Sequence, residues 1–534
     1  MAMRALRSTR LAALTARASA SNSTSAFSTI ATRARPVPVA PHSRHGVPAR
    51  HLATPAAPMH TPGPGDRVVL ATDAELITCG PGYVQYSGPA PESDAHLIPR
   101  AAGVMTYARL RDACPCPACI HPSTRQKTHT SAEAAALAAP AGDAVLPETT
   151  MHAAAEDGER GICVHWPTEG GRHSSFYSLP LLRRLNAGRT RGQSYIENEL
   201  QRRLWTCDSL VRETAETLWT DYADLHAGAP GEKINPSPLV LHGVLEQLQR
   251  YGLAVVRGVP TTKTDNENCD LRELAESIGL LRTTFYGETW DVKNVPNARN
   301  VAYTNLNLGL HMDLLYMALP PRFQLLHCLR NRVYGGASYF VDSFAAAKAF
   351  AESHPDLYAV LQRNPLEYEY DNDGHYLAYR HPVVPRRSVD STLMHTAVNW
   401  SPPFQAAPTR VAARVGAVDA PAAHDVAGRV EAERALYAAL QAFQAEIDKP
   451  KYRFEFTMRE GDVVLFDNQR VLHARTAFRD KSPAEAQADG TEIVQGEPTR
   501  WLKGCYLDGS TVWDKLATLQ DYYQEAIHGV RRNI

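Results

Sequence analysis

His311, Asp313, His473 and Arg500 are side chains of this 534-residue sequence whose types and order could run a metal-centred oxidation. His311 and Asp313 stand two apart, downstream of the strand-like run NVAYT. In extended chain, residues i and i+2 project on the same side, so an imidazole and a carboxylate can grip one ion. An HxD pair alone decides little, because among 21 histidines about one arises by accident, and His354-Pro355-Asp356 is a second. There Pro355 and Asp356 suit the first turn of a helix, which explains the pair without a metal. The first pair gains weight from His473, at the end of the hydrophobic run in GDVVLFDNQRVLHARTAF. Two histidines and one carboxylate form the facial triad of non-haem Fe(II) oxygenases, which leaves positions open for cosubstrate and oxygen. The run TRWLKGCYLDG follows and carries Arg500, and a fixed guanidinium suits bidentate capture of a dicarboxylate. Taken singly, His473 reads as a core histidine and Arg500 as a surface charge; their order after HxD is what points to chemistry.

Cys114, Cys116 and Cys119 place three thiols within six residues, which suits tetrahedral zinc once a fourth ligand arrives from elsewhere. A redox CxxC is the competing reading. Zinc is favoured because no βαβ pattern surrounds the motif and three close thiolates repel unless a cation neutralises them. The nine cysteines are odd in number and sparse, which argues against a disulfide scaffold and fits a reducing compartment.

The elements that must position these groups are mainly strands. From Leu239 onward, short apolar runs such as GLAVVRGV, FQLLHCLRN, ASYFVDSF, DVVLFD and RWLKGCYL are separated by Gly, Pro and Asn turns, the rhythm of an antiparallel β architecture with a few helices. DSFAAAKAFAESHPDLYAVLQ is the clearest helical stretch, and IENELQRRLWTCDSLVRETAETLWTDYADL opens the larger domain with apolar residues at three- and four-residue spacing. Residues 66–185 read as a small β-rich domain. Within it, 128–160 is Ala-rich and nearly free of aromatic and branched residues, and is expected to be a disordered insertion. Two further insertions, 408–430 and 480–497, are expected to be surface loops. Residues 1–65 contain no Asp, Glu or Lys, yet carry recurrent Arg with Ser and Thr. That is the composition of an organellar transit peptide, so mitochondrial import to the matrix is expected, with a disordered basic tail on a cytoplasmic protein as the alternative.

Lys plus Arg total 56 against 57 for Asp plus Glu, so no global basic field exists to attract nucleic acid. No stretch approaches the roughly 18–20 uninterrupted apolar residues of a membrane span.

In the order HxD, about 160 residues, His, then Arg, the blocks NVAYTNLNLGLHMD, FQLLHCLRNRVYGGASYFVDSF, FDNQRVLHARTAF and RWLKGCYLD resemble the taurine dioxygenase-like superfamily of Fe(II)/2-oxoglutarate oxygenases. Together with FYGETW and RLRDACPCPACIHPSTRQK, they are most similar to its gamma-butyrobetaine and trimethyllysine dioxygenase family. The resemblance implies a double-stranded β-helix (jelly-roll) oxygenase domain over 186–534, preceded by a small β-rich zinc-binding domain over 66–185. It further implies His311, Asp313 and His473 as iron ligands and Arg500 as the holder of the distal carboxylate of 2-oxoglutarate, assisted by Ser338. Zinc would be held by Cys114, Cys116, Cys119 and His173, with His121 as the local rival. Tyr286, Trp290, Tyr303 and Tyr506 would build a trimethylammonium cage, with Asn300 as a polar contact. The implied reaction is hydroxylation of gamma-butyrobetaine to L-carnitine with O2, 2-oxoglutarate and Fe(II), and ascorbate as reductant. Trimethyllysine, or another trimethylammonium compound, is the alternative substrate; a catalytically inactive zinc-stabilised binding protein is the remoter one. A homodimer is a further expectation. The sequence departs from the family at AVNWSPPFQAAP (397–408), where an Asn-rich strand usually serves the substrate carboxylate.

Overall fold

The computed structural model describes residues 62, 66–71, 75–89, 100–138, 148–153, 160–168, 171–186, 202–226, 228, 234–294, 301–385, 397–408 and 426–528. The expected transit peptide and Asn300 lie outside the described residues.

In the amino-terminal part, β1 (Arg67–Ala71), β2 (Leu76–Gly80), β3 (Tyr83–Pro89) and β4 (Arg100–Thr106) form an antiparallel sheet in sequential order. β5 (Glu148–Ala153), β6 (Arg160–Thr168) and β7 (Gly171–Ser178) form a second. Both contribute to one small core, with Ile77, Val84, Tyr86 and Met105 from the first and Ile162, Val164, Trp166 and Tyr177 from the second. The expected disorder over 128–160 is corrected in two places. Ser131–Ala138 is a helix, and Glu148–Ala153 is a strand paired along β6. Alanine has the highest intrinsic helix propensity. A capping box also closes the helix start, since the Glu133 amide donates to Thr130 Oγ1 while Glu133 Oε2 accepts from the Thr130 amide.

The larger part begins with the short helix Cys207–Glu213, then β8 (Trp219–Asp221) and the helical turn Tyr222–Leu225, so the long amphipathic stretch read from sequence is broken by a strand. β9 (Leu253–Arg257), β10 (Thr289–Lys293), β11 (Leu308–His311), β12 (Phe323–Asn331), β13 (Val333–Gly335) and β14 (Ser338–Asp342) follow. After the hairpin β15 (Pro365–Asn372) and β16 (His375–Pro382) come β17 (Phe454–Phe456), β18 (Val463–Asp467), β19 (Val471–Arg475), β20 (Phe478–Asp480) and β21 (Arg500–Leu507).

Two sheets organise these strands: a six-stranded one ordered β10-β21-β12-β18-β9-β8 and a four-stranded one ordered β11-β19-β14-β17. The six-stranded sheet is buried on both faces, which is why β9, β12, β18 and β21 read as nearly unbroken apolar runs. Alternation divides them. Ala254, Val256, Leu325, Leu465 and Cys505 pack under the helices Pro238–Tyr251, Asp270–Ile278 and Gly509–His528. Leu253, Val255, Leu326, Phe466 and Tyr506 point the other way, into the core shared with Leu310, Phe340 and Leu472 of the four-stranded sheet. The helix Pro238–Tyr251 shows its limits in sequence: Pro238 occupies the first turn, and Gly252 closes the end at φ 74° with its N–H on the Leu248 carbonyl.

His354-Pro355-Asp356 opens the helix Pro355–Arg363, as its residue types suggest. The two expected surface loops each hold a helix, Val426–Ile447 beginning inside the first and Pro483–Asp489 inside the second. Ser482 and Glu485 form a capping box at the latter, and Glu497 at its far edge pairs with Arg330 and Arg332.

Candidate active site

His311 ends β11, and its pairing partner on β19 is His473. Antiparallel register therefore brings together residues that are far apart in sequence, and their ring centroids lie 4.1 Å apart. Asp313 lies just beyond the strand, where Leu314 turns the chain with φ 65°. Its Oδ1 lies 3.4 Å from His311 Nε2, and its Oδ2 lies 3.9 Å from His473 Nε2. One donor atom from each of the three lies within 4.8 Å of the others.

Neighbours hold this triad in place. His311 Nδ1 lies 2.9 Å from the Gly309 carbonyl, which can only accept, so Nδ1 donates and fixes the ring with Nε2 turned toward Asp313. Asn468, fully buried in the turn between β18 and β19, accepts from the Asp313 amide at 2.9 Å and donates to the Asp313 carbonyl at 3.2 Å. Burial, reinforced by the neighbouring His311, pushes His473 down to about 3 and keeps it a neutral imidazole. Burial opposes the charge on Asp313, but the hydrogen bond with His311 holds its carboxyl well below the usual range. Two imidazoles and one carboxylate are a donor set that fits Fe(II).

Two lobes of one cavity open from the triad. The first is cationic: Arg500, Arg475, Ser338 and Gln324 line it together with His311, Asp313 and His473. Arg500 is 3% exposed, and its Nε has no hydrogen-bond partner. Burial lowers its pKa, the sign of a cation lacking an anion. The Gly335-Gly336 pair lets the chain pass close to it. Both residues have positive φ (81° and 70°), a Cβ on Gly336 would stand 3.2 Å from Arg500 Nε, and one on Gly335 would stand 2.4 Å from the Ala477 carbonyl oxygen. Arg475, which the motif reading passed over, donates to the carbonyls of Ala302, Thr304 and Leu306. Burial and the charge of Arg500 push it down to about 10. Its signal in the sequence was its spacing, two residues after His473 on the same strand.

The second lobe is aromatic. Tyr286, Trp290, Tyr303 and Tyr506 all line it with His311 and Asp313, and Tyr316 and Phe404 complete the ring wall. Trp290 lies flat over Gly504 of β21, where any Cβ would come within 2.3 Å of its ring. The hydroxyls of Tyr286 and Tyr316 are 3.1 Å apart, and burial raises the pKa of both, so they remain neutral phenols. Among the described residues, Asp313 is the one acidic residue lining this lobe. In the divergent 397–408 segment, Asn399 is committed to the fold: its side chain donates to the Pro382 carbonyl and its own carbonyl accepts from Tyr368. From the same segment it is Phe404 that reaches the cavity.

The second cluster is Cys114, Cys116, Cys119 and His173. His173 on β7 places Nε2 at 3.4, 3.6 and 3.5 Å from the three sulfurs, whereas His121 is exposed and bonded to Ser123. A tetrahedral zinc with Zn–S of about 2.3 Å and Zn–N of about 2.0–2.1 Å sets sulfur and nitrogen about 3.6 Å apart. Ser175 Oγ donates to Cys114 Sγ at 2.8 Å and Arg111 to Cys119 Sγ at 3.1 Å, hydrogen bonds that favour thiolates. Without a cation, burial pushes the Cys114 thiol up to about 12.

Comparison with known proteins gives two family matches: residues 223–506 match the taurine catabolism dioxygenase TauD, TfdA family, and residues 100–183 match the gamma-butyrobetaine hydroxylase-like N-terminal domain. The chain is 38% identical over 420 residues to Dioxygenase str8 of Strobilurus tenacellus, covering 79% of this chain and 86% of that one. It is 29% identical over 415 residues to gamma-butyrobetaine dioxygenase of Pseudomonas sp. (strain AK-1), covering 77% and 89%. It is 27% identical over 373 residues to the mitochondrial trimethyllysine dioxygenase of Bos taurus, covering 70% and 76%.

Proposed function

The chain belongs to the TauD/TfdA family of 2-oxoglutarate-dependent dioxygenases, and from that premise we propose that it hydroxylates a trimethylammonium carboxylate, with gamma-butyrobetaine as substrate and L-carnitine as product. The observation that carries this reading is the two-lobed cavity around His311, Asp313 and His473, cationic on one side and aromatic on the other. When bound, Fe(II) supplies oxidation of a C–H bond by O2, coupled to conversion of 2-oxoglutarate to succinate. The two facing sheets are read as the halves of a double-stranded β-helix that holds the ligands on adjacent strands. Residues 66–185 then form a zinc-stabilised amino-terminal domain.

The protein's own residues do the positioning. His311, Asp313 and His473 would occupy one face of the ion and leave the other to cosubstrate. Arg500 would receive the distal carboxylate of 2-oxoglutarate in the buried cationic lobe, with Ser338 beside it. An unpaired guanidinium out of water costs several kcal/mol, so an anionic guest is favoured there. In the other lobe, cation recognition would fall on ring faces, because Asp313 would be engaged by the ion and no other carboxylate among the described residues lines the wall. That suits a cation without N–H donors. The aromatic wall also excludes water and presents one methylene of the substrate, carbon 3 by kinship, to the metal side.

Trp290→Ala is expected to raise the KM for substrate about 10- to 30-fold, the equivalent of a desolvated cation–π contact of up to about 2 kcal/mol. Steady-state succinate release at varied substrate checks it. His173→Ala is expected to release zinc and lower thermal stability, since structural zinc sites contribute folding energy directly. Elemental analysis of the purified variant beside wild type reads the loss. We place the enzyme in the mitochondrial matrix on the composition of residues 1–65, and a reporter carrying those residues that stays cytosolic would refute the placement.

The substrate is tested by a panel of betaines with detection of succinate. Gamma-butyrobetaine should give the fastest release, with carnitine formed alongside. Activity confined to trimethyllysine would move the chain to the sister reaction. Phe404, standing in the lobe from the segment that departs from the family, makes a substrate with a less polar far end the reading to include in the same panel.

A further inference from the structure

Tyr506 belongs to two parts of the cavity at once. β21 alternates, so Cys505 and Leu507 pack under the helices while Leu502 and Tyr506 face the inner core. The Tyr506 ring walls the aromatic lobe and lies against Trp290 with centroids 5.2 Å apart. Its hydroxyl lies 3.0 Å from Asp313 Oδ2. A carboxylate oxygen can only accept, so the tyrosine donates. Asn468 fixes the backbone of Asp313 through both its amide and its carbonyl, leaving the carboxylate's own torsions as the remaining freedom.

We propose that Tyr506 is a positioning residue for the metal as well as a wall of the substrate lobe: its hydroxyl sets the rotation of the Asp313 carboxylate and so which oxygen the ion meets. This rests on the reading of His311, Asp313 and His473 as the metal site. With Oδ2 engaged by the phenol, Oδ1 is the oxygen presented beside His311 Nε2, at 3.4 Å. Hydrogen-bond partners of metal ligands are worth about 10- to 100-fold in metal affinity. The ring on the same side chain ties that contribution to the substrate lobe, so the two sites share one rigid element.

The test uses Mn(II), which prefers oxygen and nitrogen donors and competes poorly for thiolates, so the zinc cluster of the full-length zinc-loaded protein is left undisturbed. Free Mn(II) is measured by electron paramagnetic resonance during titration of wild type, Tyr506→Phe, Trp290→Phe and Asp313→Ala. Tyr506→Phe keeps the ring and removes one oxygen, and is expected to weaken Mn(II) binding about 10-fold or more. Trp290→Phe disturbs the same wall without touching Asp313 and is expected to bind Mn(II) as wild type does. The proposal is overturned if Tyr506→Phe binds as tightly as wild type, or if Trp290→Phe loses as much. Wild type binding no more Mn(II) than Asp313→Ala would instead overturn the metal site itself.

Discussion

Asp313→Ala is expected to lower succinate release from 2-oxoglutarate by about 100-fold to several thousand-fold, because removing one member of a buried charged set costs about 3–5 kcal/mol. Asp313 is the one anionic donor of the triad, and its backbone is held independently by Asn468, so truncation removes the carboxylate while leaving the turn anchored. The amino-terminal cluster does not involve this residue, and zinc content should stay at the wild-type level. Assays of 2-oxoglutarate consumption at saturating Fe(II), alongside elemental analysis, read both quantities. Full activity in the variant would end the assignment of the triad.

Arg500→Ala is expected to raise the 2-oxoglutarate concentration needed for half-maximal rate about 30-fold or more, since truncating one partner of a buried hydrogen-bonded charge pair costs about 2–5 kcal/mol. The requirement for the proposed trimethylammonium substrate should change little, because Arg500 lines the cationic lobe and is absent from the aromatic one. Arg500→Lys is expected to recover only part of the loss, since an ammonium is a point charge and cannot make the paired contacts of a guanidinium. Initial rates of succinate formation at varied 2-oxoglutarate measure the shift. An unchanged requirement would transfer the role to Arg475, the other guanidinium in that lobe.

The chemistry of the site was readable from residue types and order, while its geometry was not. HxD, a distal histidine and a later arginine declare a ligand set, but the pairing of His311 with His473 is a register between strands separated by a long stretch of chain, which local pattern cannot supply. Asn468 and Arg475 escaped for the same reason. Their partners, the backbone of Asp313 and the carbonyls of 302–306, come from another part of the sequence. Tyr316 and Phe404 carry no local mark of their role, because an aromatic that walls a cavity and one that fills a core share the same hydrophobic pattern. Two errors were avoidable. Thr130 with Glu133, and Ser482 with Glu485, are capping boxes written in sequence, and each opens a helix where a disordered insertion or a loop was expected.

X-ray absorption at the iron edge of the full-length protein, loaded anaerobically with Fe(II) and 2-oxoglutarate and analysed for total metal, tests most directly whether one iron is held between β11 and β19. The expected result is one iron per chain in addition to zinc, in a shell of nitrogen and oxygen donors that includes two imidazoles and is lost in His473→Ala. Iron that fails to bind, or that binds with sulfur neighbours and survives loss of His473, would contradict the site.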